Sequence, residues 1–143
     1  MKVSKSKIAN GEFNGWDDES QSHGMIAMVR EGISYSDFLS FFRNEPFTDQ
    51  EWAKYLGISV RTLDRYRTGQ KSFPAKQSER ILEIKRLLNY GENVFGDGDD
   101  FMDWMKTRSI PMGGVIPKEV LDTSIGINMV HDQLGRIEHG ILA

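Results

Sequence analysis

Apolar side chains along this chain recur at helical spacing, with no sustained strand-like alternation. Met25, Ile26, Met28 and Val29 form one stripe, closed by Gly32. Phe38, Leu39, Phe41 and Phe42 form a second, entered at Ser34 or Ser36 and stopped by Pro46. Ile81, Leu82, Ile84, Leu87 and Leu88 place a longer helix from about Ala75 to Tyr90, with Lys76, Arg80, Lys85 and Arg86 mostly outward. Val94 and Phe95 carry its stripe past Gly91, so the break is expected at Gly96-Asp97-Gly98-Asp99, with Asp99 or Asp100 capping the next helix. Phe101, Trp104 and Met105 mark that short helix, and Pro111, Gly113, Gly114 and Pro117 a tight connection. Pro117 suits the first position of another short helix running to Leu121, where a missing amide does no harm. Ile127, Val130, Leu134 and Ile137 then share one face of a last helix, capped by Thr123 or Ser124. Gly126 and Gly135 lie inside it, where glycine costs about 1 kcal/mol relative to alanine, which implies that other backbone passes close by. The fold class expected is all-α.

The most informative stretch is TDQEWAKYLGISVRTLDRYRT, residues 48–68. Thr48 and Glu51 have capping-box spacing, so a helix begins there. Trp52, Ala53 and Leu56 follow on one face, Gly57 ends the helix in a left-handed conformation, Ile58 plugs the corner and Ser59 caps a second helix. In that second helix Leu63 and Tyr66 face the first, leaving Val60, Arg61, Asp64, Arg65 and Arg67 outward or on the flanks. The pattern is a helix-turn-helix whose outer face is rich in arginine, the side chain that pairs with phosphates and forks onto guanine. The candidate DNA-contacting residues are Gln50, Ser59, Val60, Arg61, Asp64, Arg65, Arg67 and, in the following loop, Lys71.

A net charge of −3 over 143 residues argues against a DNA binder until it is divided along the chain. Residues 1–42 carry four basic and six acidic side chains (−2), residues 43–90 ten and six (+4), and residues 91–143 four and nine (−5). Basic charge is concentrated around the helix-turn-helix, so double-stranded operator DNA is the expected partner there, and the acidic last third calls for a different one. Helix-turn-helix proteins commonly read paired half-sites, so a homodimer is expected. Residues 1–22 lack periodicity and are expected to form a flexible arm, followed by a DNA-binding domain over 23–96 and a smaller helical domain over 97–143.

The chemistry of enzymes is missing from the pattern. The sequence has no nucleophile elbow, no phosphate-binding glycine loop and no His-Glu-x-x-His, while His23, His131 and His139 are scattered. The 96–100 carboxylates lack the alternation and distant glutamate of a calcium loop, and there are no cysteines. No catalytic residue, metal site or cofactor is therefore expected. No apolar run approaches the roughly 20 residues that span a bilayer, and the basic start lacks the apolar stretch of a secretory signal, so a cytoplasmic protein without membrane contact is expected.

The order of parts resembles the Xre/ParS (MbcA/ParS/Xre-type) antitoxins that pair with RES-domain toxins. The resemblance covers about Met28 to Ala143. It is carried by GISVRTLDRYR at 57–67, SERILEIKRLL at 78–88, VFG at 94–96, Gly113-Gly114 before Pro117, LDT and Gly126 within 121–126, and LGRIEHGILA at 134–143. The sequence departs from the family at Thr107-Arg108-Ser109-Ile110-Pro111-Met112, where relatives tend to have a short Pro-Asn turn, and residues 1–22 have no counterpart. The resemblance implies an antitoxin of a type II pair, bound to a toxin that consumes NAD or transfers ADP-ribose from it. It also implies that the C-terminal segment covers the toxin's NAD pocket while the helix-turn-helix represses the shared operon, and that higher hetero-oligomers form. Carried onto this chain, Arg136, Glu138 and His139 become polar contacts to the toxin, and Ile137, Ile141 and Leu142 apolar anchors. The alternative is a stand-alone transcription regulator that senses a ligand through residues 98–143.

Overall fold

The computed structural model describes residues 19–140, with side chains from Ser22 onward. Residues 1–18 of the expected 1–22 arm, and Ile141 and Leu142, lie outside the described residues, whereas Glu19 to Ser22 of that arm belong to a helix. Within them the chain is all-α, in the order α1 (Glu19–Glu31), α2 (Tyr35–Phe41), α3 (Asp49–Leu56), α4 (Val60–Gly69), α5 (Ala75–Phe95), α6 (Gly98–Lys106) and α7 (Ser124–Glu138). Two short 3-10 turns, Ile110–Met112 and Pro117–Val120, lie between α6 and α7. The first helix starts at Glu19, ahead of the apolar stripe that begins at Met25, because its opening turn is polar and offers no apolar period to follow. The chain divides into two compact units after Arg86, inside α5, and not at the Gly96 turn. The apolar stripe of α5 runs through that division without a break, which is why the pattern of residues does not mark it.

The first unit is built on aromatic rings. Phe38 meets Tyr35, Phe42, Trp52 and Phe73 at centroid separations of 4.9 to 5.6 Å, and Tyr66 of α4 lies 4.9 Å from Phe73. Met25, Met28, Leu56, Leu63, Ile81 and Ile84 complete this core. Ile26 and Leu39 belong to the expected stripes but lie about half exposed, 47% and 52%. Successive residues on a helix point about 100° apart, so a run of adjacent apolar side chains cannot all turn inward. Lys85, expected outward, is buried and its Nζ donates to the Phe41 carbonyl (2.9 Å), capping the C-terminal end of α2.

Ser78 is fully buried in the same unit. Its hydroxyl accepts from the Ile33 amide (2.8 Å) and donates to the Phe73 carbonyl (3.1 Å), tying α5 to the α1–α2 turn and to the loop after α4. The Ile33 carbonyl in turn accepts from the Phe73 amide (2.7 Å), so the helix-turn-helix is anchored from behind. Ser78→Ala would strand the hydroxyl's two partners in an apolar interior. A loss of about 1 to 3 kcal/mol in unfolding free energy is expected, to be measured by denaturant titration of the pure protein.

The second unit gathers Leu87, Leu88, Phe101, Met102, Met105, Leu121, Ile127, Val130 and Leu134. Asp97 rather than Asp99 or Asp100 caps α6. It has extended backbone (φ −145°, ψ 123°) and its carboxylate accepts from the Asp99 amide, whereas the other two already lie within the first turn. Ser109 pairs with Val115 across the tight connection, with the Ser109 amide donating to the Val115 carbonyl (2.8 Å). Thr123 caps α7 by accepting from the Gly126 amide (2.9 Å).

Candidate functional sites

The first candidate site is the outer face of α3 and α4. Thr48 and Glu51 satisfy each other's amides, both at 3.1 Å, and so fix where α3 begins. Gly57 turns the chain at φ 67°, the Ile58 amide returns to the Ala53 carbonyl, and Ser59 caps α4 by accepting from the Thr62 amide (3.0 Å). Ala53 of α3 and Leu63 of α4 are buried, and the two helices pack against each other. This local chemistry presents Gln50, Ser59, Val60, Arg61, Asp64, Arg65 and Lys71 on the surface. The side chains of Arg61, Arg65 and Lys71 have no hydrogen-bond or ion-pair partner among the described residues, so their charge is available to a phosphate or a base edge.

Arg67 behaves differently. It is half-buried, and hydrogen bonds to Tyr35 and then Asp49 raise its pKa above the ordinary arginine value. Asp64 is engaged by the same guanidinium. Neither Tyr35 nor Asp49 was legible as part of this surface, because both lie far from Arg67 along the chain.

The second candidate site is the far end of α7. Ile127, Val130 and Leu134 face inward and Ile137 is half-buried, as the stripe predicts. Gly126 meets the expectation of close approach, since a Cβ there would overlap the Val120 carbonyl oxygen. Gly135 does not, because the nearest atom to its Cβ position is the Tyr90 hydroxyl at 3.6 Å. Arg136 is exposed and has no side-chain partner among the described residues. Glu138 accepts from the Tyr90 hydroxyl at 3.1 Å, and the exposed His139 brings its Nε2 to 3.8 Å from the same carboxylate. Burial first, and the Glu138 bond second, raise the Tyr90 pKa. The Tyr90 ring also stacks on His131 at 4.8 Å. Ile125 and Met129 lie one turn apart on α7, 77% and 39% exposed, and form an apolar patch that the inward stripe does not account for.

Among the described residues no helix is long and apolar enough to cross a membrane, and no cluster of His, Cys, Asp or Glu side chains is placed to hold a metal ion. In the 107–112 connection Arg108 donates to the Gly114 carbonyl, Ser109 is buried and Ile110 is 79% exposed.

Comparison with known proteins places both sites in context. Residues 24–86 match the antitoxin Xre-like helix-turn-helix domain, and residues 91–140 the antitoxin Xre/MbcA/ParS C-terminal toxin-binding domain. An Antitoxin Xre of Photorhabdus laumondii is 31% identical over 130 residues, spanning 90% of this chain and 87% of that protein. An Antitoxin Xre of Yersinia enterocolitica is 35% identical over 120 residues, spanning 83% and 81%. A Prs ADP-ribosylating antitoxin of a Sphingobium strain is 24% identical over 127 residues, spanning 82% and 80%. With a helix-turn-helix in its first unit and a toxin-binding domain in its second, the chain belongs to the Xre antitoxin family.

Proposed function

We propose that this chain neutralises a RES-domain toxin by covering the toxin's NAD pocket with its C-terminal segment, and represses its own operon through the helix-turn-helix. The observation that carries the reading is the exposed, unpaired Arg136 at the end of α7, inside the matched toxin-binding domain. A pocket that holds a dinucleotide has phosphates, riboses and a carboxamide to bind, so its lining offers groups that pair with a guanidinium or a carboxylate. Arg136, Glu138 and His139 supply the polar contacts in this reading, and Ile137, Ile141 and Leu142 the apolar ones. The name of the Sphingobium relative links that protein to ADP-ribosylation, which is consistent with a toxin that acts on NAD. The chain acts by binding rather than catalysis, in the cytoplasm, as a homodimer on operator DNA and within a larger complex with its toxin.

Co-expression with the product of the adjacent gene tests the proposal. The two should co-purify, and the complex should consume NAD far more slowly than the toxin alone. Failure to associate, or a complex that consumes NAD at the free toxin's rate, would leave only the repressor.

The DNA half makes its own prediction. Arg61→Ala and Arg65→Ala should each weaken operator binding by about 1 to 3 kcal/mol, roughly 5- to 150-fold, measured by fluorescence anisotropy at fixed salt. Association with the toxin should be unchanged.

A further inference from the structure

The helix-turn-helix carries acidic residues on its exposed side, and electrostatics alone does not explain them. Asp49 opens α3 and Asp64 lies in the middle of α4; both are more than half exposed, and both reach Arg67. The Arg67 Nη2 donates to the Asp49 carboxylate at 2.9 Å, Nη1 to the Asp64 carboxylate at 3.2 Å, and Nε to the Tyr35 hydroxyl at 2.9 Å. Its Cζ lies 5.9 Å from the centre of the Tyr35 ring. All three nitrogens of the guanidinium are thus engaged within the protein.

The partners belong to three different elements. Tyr35 is the first residue of α2, is 3% exposed, and packs against Phe38 and Phe73, so its hydroxyl is a fixed point of the core. Asp49 belongs to the first helix of the helix-turn-helix and Asp64 to the second. One side chain in the last turn of α4 therefore joins that helix to its neighbour and to the aromatic core. A planar fork with donors at fixed angles suits this task, and lysine does not. Ion pairs this exposed contribute little to global stability, so what the network fixes is the direction of α4.

We infer that Arg67 is a positioning residue for DNA recognition, setting the angle at which α4 presents Arg61 and Arg65, rather than a phosphate or base contact itself. This rests on the helix-turn-helix binding an operator. The inference reverses the sign expected for one substitution. If Asp49 is merely a surface carboxylate near DNA, Asp49→Ala removes repulsion and tightens binding. If Asp49 holds Arg67, the same change frees the guanidinium and weakens binding to the operator.

The test uses the full-length protein and two DNA duplexes, one from the region upstream of its own gene and one unrelated, titrated across a salt series. Arg67→Ala, Arg67→Lys, Asp49→Ala and Tyr35→Phe are compared with the unmodified protein, and thermal melting checks that each is folded. The expected result is an operator affinity about 5- to 20-fold lower for Asp49→Ala and for both Arg67 variants. Affinity for unrelated DNA should change much less, and the slope of log affinity against log salt should stay as it was. A phosphate contact would instead lower the slope magnitude by about 0.9 per lost contact and weaken both duplexes alike. That outcome, or tighter operator binding by Asp49→Ala, overturns the positioning role while leaving DNA binding intact. If the unmodified protein does not prefer its own upstream duplex, operator recognition fails and the Arg67 role fails with it.

Discussion

Gly126→Ala is expected to destabilise the second unit by about 3 kcal/mol, whereas Gly135→Ala, nine positions along the same helix, is expected to stabilise it by up to about 1 kcal/mol. Both substitutions gain the same intrinsic preference of alanine over glycine in a helix. The surroundings decide the sign. At Gly126 the added Cβ would overlap the Val120 carbonyl oxygen, a backbone atom of the turn leading into α7, and no side-chain rotation can clear it. Either α7 moves off that turn or the turn unwinds, and both open the buried contacts of Leu121 and Ile127. At Gly135 the nearest atom is the Tyr90 hydroxyl at ordinary contact distance. Hydrogen exchange followed by mass spectrometry over residues 117–138, together with denaturant melts, would separate the two. Equal effects of the same sign at both positions would show that helix preference, not the approach of Val120, governs α7.

The pair also shows which parts of the structure were legible in the sequence. Features that depend on residues three or four apart were correctly expected: the Thr48–Glu51 box, the Gly57 turn, the Ser59 cap, the α7 cap as one of the two candidates Thr123 and Ser124, and the inward stripe of α7. Their chemistry is local, so spacing alone specifies it. Where several equivalent residues adjoin, as in the acidic run from Asp97 to Asp100, spacing does not choose among them, and the cap falls on the residue with extended backbone. Features built across the fold were not legible. Arg67 looked like another outward arginine because Tyr35 is 32 positions away, and Lys85 looked solvated because the Phe41 carbonyl is 44 positions away. The bond that holds Glu138 joins it to Tyr90, 48 positions back, so the polar tail residues could be named from a resemblance but not placed. The division after Arg86 was hidden for the opposite reason: one continuous helical pattern covers it.

Removing Arg136 to Ala143 is expected to abolish neutralisation of the toxin while operator binding persists. The deletion takes away the exposed guanidinium, the Glu138 carboxylate held by Tyr90 and the proposed apolar anchors Ile137, Ile141 and Leu142 in one step. Arginine is enriched among the side chains that dominate interfaces, and truncating such a residue commonly costs 2 to 4 kcal/mol, so Arg136→Ala alone should weaken the complex roughly 30- to 1000-fold. Glu138→Gln should cost much less, since an amide oxygen can still accept from Tyr90 and keep the end of α7 in place. Cell survival under toxin expression gives the coarse readout, and competition between the antitoxin and NAD for purified toxin gives the mechanistic one. If the C-terminal segment covers the NAD pocket, Arg136→Ala should raise NAD consumption by the complex in proportion to its loss of affinity, and excess NAD should slow association of the unmodified antitoxin. A truncated chain that still protects cells, or an inhibition indifferent to NAD concentration, would move the toxin contact away from the tail. The exposed Ile125–Met129 patch on the same helix would then be the next surface to substitute.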